Sequence, residues 1–184
     1  MTVRAKFYVS ALETRLSSRY DPATRTSTPV HVDVVKLQAV HGKGNEAWSV
    51  ATPSGQAEMT ITNPAAVGRF HPSHAYHLDF CRADDPEAAV PAPGVAVRAK
   101  FVVHAVEKSA WGEQSEHNPN PPVLHKVKLC PVSGKDNKVW SEATPSGAIE
   151  MLVTNSAAVA QFVLGADYFV DFTPAPLAAP SAAA

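Results

Sequence analysis

Cysteine is nearly missing from this chain: Cys81 and Cys130 are the only two in 184 residues. They do not form a C-x-x-C pair, so neither a disulfide framework nor a cysteine-knuckle metal site is encoded. Charge of one sign is also lacking. The formal net charge is −1, which gives no global field to draw in a nucleic acid or an anionic membrane. No apolar run approaches the roughly 20 residues of a membrane-spanning helix. The opening MTVRAKFYVS has no apolar stretch of the kind a signal peptide carries, so none is expected. No G-x-S-x-G elbow and no phosphate-cradling glycine loop occurs.

What the chain does have is proline, 16 in all, and a repeat. VRAKFYVSALE (3–13) matches VRAKFVVHAVE (97–107) at eight of eleven positions, at an offset of 94. From Val35 to Phe80 the offset is 92, and 25 of 46 positions agree. This pattern is a duplicated unit with one loop of variable length. It predicts a first β repeat over 1–82, a Pro/Ala-rich semi-extended linker over 83–96, a second repeat over 97–173, and a Pro/Ala-rich tail over 174–184. Residues 1–82 hold nine Lys/Arg and six Asp/Glu, and residues 83–184 seven and eleven, so these two portions carry +3 and −4.

Within each repeat the apolar residues recur with period two. Val3, Ala5, Phe7, Val9 and Ala11 alternate with polar neighbours, as in a half-buried strand. Further strands are expected at about 31–40, from Trp48 into ATPSG, at 56–62, and at YHLDF (76–80). The doubled phase at Val32 and Val34 suggests a bulge or a two-sided strand. NPAAVGRF (63–70) and NSAAVAQF (155–162) open with Asn, a favoured N-cap, and predict one short helix before the last strand. The expected fold is mainly β: two tandem copies of a small antiparallel barrel or sandwich with OB-like content, each with one such helix.

Candidate sites follow from what recurs and what differs. ATPSG appears twice, at 51–55 and 143–147. Thr52, Pro53 and Gly55, with Thr144, Pro145 and Gly147, carry type I turn chemistry, and each set reads as a structural turn at a hairpin tip. Ser54 has no base or oxyanion hole implied beside it, so no catalytic residue is assigned. His71, His74 and His77 lie close in sequence, but the second repeat has Val163, Ala166 and Phe169 there, so no metal or other cofactor is assigned. Glu58/Glu150 and Asp79/Asp171 recur as outward carboxylates, with Lys6/Lys100 and Lys36/Lys128 as candidate cross-strand partners. Trp48/Trp140, Phe7/Phe101, Phe70/Phe162, Tyr76/Tyr168 and Phe80/Phe172 read as core. The repeats diverge most in a long loop: TRLSSRYDPATRTSTP (14–29) is basic, and KSAWGEQSEHNPNPP (108–122) is acidic. Arg15, Arg19, Tyr20, Arg25 and Trp111 in these loops are the candidate binding residues.

With VRAKF, VKL, an Asn before Trp, ATPSG, EM, TN and DFTPA in that order, each repeat resembles small uncharacterised proteins of tailed phages and prophages. Those end in YYVDFTPA; the second repeat keeps YFVDFTPA (168–175), and the first departs to YHLDFCRA (76–83). The resemblance implies a phage origin. It leads to the expectation of a non-enzymatic virion protein, made in the host cytoplasm and seated on the capsid exterior. Its partners would be the major capsid protein and copies of itself, with no membrane and no nucleic acid. Two other readings stay open: a single-stranded nucleic-acid binder on an OB-like barrel, and an inhibitor or adaptor of a host protein.

Overall fold

The alternating segments become eight strands in the computed structural model, which describes residues 2–110, 112–121 and 123–176. In chain order they are β1 (Val3–Asp21), β2 (Thr26–Ala39), α1 (Glu46–Ala51), β3 (Gly55–Ile61), β4 (Ala75–Arg82), β5 (Val97–Ala110), β6 (Val123–Pro131), α2 (Lys138–Ala143), β7 (Ser146–Val153), α3 (Ser156–Val159) and β8 (Asp167–Pro174). They close into a single barrel in the order β1-β2-β3-β7-β6-β5-β8-β4, with every neighbouring pair antiparallel.

The expectation of two tandem barrels is therefore corrected to one barrel made of two half-barrels. The reason lies in the edges. Each repeat supplies a four-stranded sheet whose outer strands, β3 and β4 or β7 and β8, would expose unpaired backbone groups. Here β3 pairs with β7 and β4 with β8, so each half covers the edges of the other. The barrel has a pseudo-two-fold axis perpendicular to its length, because equivalent strands run antiparallel across both junctions. Alternate side chains point inward, and Phe7, Met59, Leu78, Phe80, Phe101, Leu129, Val170 and Phe172 fill the interior to 0–1% exposure. The lumen is a packed core, as expected for eight strands.

The repeated ATPSG sits at one of these junctions. Contrary to the expectation of a hairpin tip, it is a bent connection from α1 into β3, and from α2 into β7, in which Thr52 and Thr144 are the C-caps and are buried. Each copy bonds to the other half: Leu152 N–H donates to Ser54 O at 2.7 Å, Thr154 N–H to Ala51 O at 3.3 Å, and Thr62 N–H to Ala143 O at 3.0 Å. The glycines allow the strands to meet. A methyl group on Gly147 would lie 2.5 Å from Glu58 O and 3.0 Å from Met59 Cα, whereas on Gly55 it would meet the end of the Phe7 ring at 2.8 Å. A ring can shift more cheaply than a strand backbone. Gly147→Ala is thus expected to lose about 1–3 kcal/mol and more than Gly55→Ala, as read by urea unfolding.

Other corrections share a cause, the weakness of short local signals. The stretch at Trp48 is a helix, not a strand; six residues are too few to separate the two periods. Trp48 and Trp140 are half-buried on the outside of the barrel, not core, and stack on His77 and Phe169 with ring centroids 5.3 and 5.4 Å apart. Residues 63–70 form turns, and only the second repeat has the expected helix, α3. The Asn signal is real in both: the Asn63 and Asn155 carboxamides accept from Ala65 N–H at 3.0 Å and Ala157 N–H at 2.9 Å. The bulge lies in β1, between Val9 and Ala11, with a copy between Val103 and Ala105 in β5.

The linker is not semi-extended. Asp85 caps a short 3₁₀ turn at Pro86–Ala88, and Ala88 is buried. Residues 83–96 cross the outside of β8 from one barrel end to the other, tied by Ala83 N–H to Asp167 O at 2.9 Å and Ala96 N–H to Phe172 O at 2.8 Å. Residues 177–184 of the tail lie outside the described residues.

Candidate binding surface

The segment 14–29, expected as a loop, is the far half of a long two-stranded ribbon. β1 and β2 pair without a break from Ala11↔Lys36 to Asp21↔Thr26, well past the point where β3 ends opposite Asp33. The ribbon projects beyond the barrel, and residues 13–29 are all exposed. Thr, Ser, Val and Tyr fit extended backbone, but polar residues on both faces leave no apolar alternation to mark a strand.

The ribbon's two faces differ. Directly opposed residues share a face. One face carries Leu16 with His31, Ser18 with Pro29, and Tyr20 with Ser27; it continues the barrel's inward side past the rim. The other carries Arg15 with Val32 and Arg19 with Thr28. Arg25 lies in the turn with a positive φ of 54°. Among the described residues, Arg15, Arg19 and Arg25 have no ion-pair partner. Leu16 is 69% exposed and Tyr20 60%.

At the ribbon's base Asp33, fully buried, accepts from Thr14 Oγ1 at 2.6 Å and Gly68 N–H at 2.7 Å. Those bonds tie the arm to the β3–β4 connection. The second half replaces Asp33 with His125, whose Nδ1 is buried without a partner among the described residues. Its arm is shorter: β5 and β6 pair out to Ala110↔Val123. Residues 112–121 form the tip, held by a Ser115–Asn118 bridge. Trp111, a predicted contact residue, lies outside the described residues. Because β1 and β5 run in opposite directions, the two arms leave opposite ends of the barrel.

The recurring carboxylates are all ion-paired, but their partners differ from those expected. Asp79 is clamped by Arg4 Nε and Nη2 at 2.6 and 2.7 Å, and Asp171 by Arg98 Nε and Nη2 at 2.5 and 2.6 Å. Asp79 and Asp171 face each other across β4 and β8. Like charges so placed repel, and one guanidinium on each offsets this. The bond to Asp79 raises the Arg4 pKa further above its usual range. Lys36 does reach Glu58, at 3.3 Å, but Lys128 goes to Glu107 at 2.5 Å, and Lys126 is nearer Glu150 at 3.8 Å. Lys6 and Lys100 bond to Asn45 and Asn137, at 2.8 and 2.7 Å, which anchors the starts of α1 and α2.

The histidines do not converge. His71 and His74 have ring centroids 5.3 Å apart, while His77 stacks on Trp48. Among the described residues no group of three or more His, Cys, Asp or Glu is placed to hold a metal ion. Burial first, and then the charges of Arg4 and Lys6, hold the His77 pKa below its ordinary value. The unfolded chain therefore binds a proton here more readily than the fold. Stability from this group is present above about pH 6.5 and is lost as pH falls from there toward the lower folded value. His77→Phe, which copies the Phe169 packing of the other half, is expected to flatten thermal stability between about pH 5 and 6.5.

The geometry defines a class: a closed eight-stranded antiparallel barrel of two pseudo-symmetric halves, with a β-ribbon arm at each end. No protein-family model matches the chain, and comparisons with curated proteins and with solved structures give no match.

Proposed function

We propose that this is a non-enzymatic phage virion protein, a decoration or cement protein that binds the outside of the capsid shell. The observation that carries the reading is the pair of projecting arms on opposite ends of a barrel whose interior is filled. A rigid body with a contact element at each end suits bridging between neighbouring subunits of a repeating surface. Joining two weak contacts on one body raises overall affinity by about 10²–10⁴ without new contacts. The phage assignment and the capsid as partner rest on the resemblance of the VRAKF…ATPSG…DFTPA units.

The test is mass spectrometry of purified particles. The chain is expected in a copy number commensurate with the shell, and an Arg15→Glu/Arg19→Glu variant should be depleted from particles. Absence of the unaltered chain from particles would remove the proposal.

A further inference from the structure

We infer that copies of this chain associate head to tail, the basic arm of one seated on the acidic end of the next. This stands independently of the capsid reading. Four observations carry it.

The first is that the ends differ in charge. Residues 14–29 hold three Arg and one Asp, while the tip 112–121 at the other end holds two Glu and no Lys or Arg. Glu113 and Glu116 have no ion-pair partner among the described residues. The linker adds Glu87 on the acidic side, where β4 ends; Asp84 there is paired with Arg82 at 2.5 Å.

The second is that, among the described residues, the exposed large apolar residues other than Val90, which sits on the segment crossing the outside of β8, lie at the two ends. Leu16, Tyr20 and Val139 lie at the basic end, and Val50, Val123, Val163 and Leu164 at the acidic end; Val139 is 78% and Val50 71% exposed. Apolar residues rimmed by charge are the usual composition of a contact surface.

The third concerns the arm. A two-stranded ribbon with both faces in water is marginally stable on its own. This one presents Leu16, Pro29 and Tyr20 on the face that overhangs the barrel mouth, where a partner's end would cover them.

The fourth is symmetry. The two ends are unlike, so a contact between them is heterologous and repeats as a ring or a filament, not as a closed pair. Opposite charge across such a contact fixes its polarity, because arm-to-arm and acid-to-acid contacts place like charges together.

The experiment is sedimentation of the full chain over a range of concentrations, at about 0.01 M and about 1 M salt. Species larger than a dimer are expected at low salt and dissociation at high salt. Arg15→Glu/Arg19→Glu and Glu113→Lys/Glu116→Lys are each expected to weaken association at least roughly tenfold. An equimolar mixture of the two should restore it, since each reversed end then meets its complement. All four side chains are exposed, so circular dichroism should show both variants folded. A monomer at low salt and high concentration overturns the proposal. A dimer that survives the glutamate reversals overturns it too, since that species joins arm to arm.

Discussion

Asp171→Ala is expected to cost about 3–5 kcal/mol of folding stability, a large part of the roughly 5–15 kcal/mol a domain of this kind possesses. The Arg98 and Asp171 side chains are only 9% and 4% exposed. The linker is the reason: Arg98 Nη1 donates to Ala88 O at 2.7 Å as residues 83–96 pass over β8. Removing the carboxylate leaves a guanidinium buried without its counter-charge. The pseudo-symmetric pair provides an internal control. Arg4 is 52% exposed beside Asp79 at 12%, so water can solvate the cation once its partner is gone. Asp79→Ala should cost clearly less, about 1 kcal/mol. A double replacement, Arg98→Met with Asp171→Leu, should recover most of the loss, because no charge is then stranded. Urea unfolding of the four proteins measures the ordering.

The second large effect is topological. A polypeptide of residues 1–90 should have no monomeric native fold. Its four strands end in β3 and β4, both of which need a partner from the other half. Such an edge invites pairing with another chain. The expected result is an unfolded chain at low concentration and a symmetric two-chain barrel at high concentration. Circular dichroism with light scattering distinguishes these. The intact chain should unfold in one cooperative transition. A folded 1–90 monomer would show that each repeat completes its own core.

The strands of the core were readable because they obey period two with clear apolar choices, and Phe7, Ala57, Met59, Leu78, Val127 and Leu129 are all buried as expected. Closure was not readable. Nothing in AEM or YHLDF says whether an edge meets its own repeat or the other, since identical edges satisfy either arrangement. The same ambiguity hid the purpose of ATPSG. Its identity in both copies follows from the contact it makes: Gly147 meets the backbone of β3 and Gly55 meets Met151 of β7. The arms were legible as the place where the halves differ, but not as strands, because a ribbon in water has no buried face to impose alternation. The Arg4 and Arg98 clamps were missed although both arginines stand in the repeated VRAKF. Their partners are more than 70 residues away, and no local spacing signals such a pair.

The central claim is one barrel closed across both junctions, and nuclear Overhauser spectroscopy of the intact chain tests it most directly. Cross-strand backbone contacts are expected between Glu58 and Ala148, and between Asp79 and Asp171, within one chain kept monomeric at about 1 M salt. Absence of contacts at both junctions, with the two repeats tumbling independently, would contradict it.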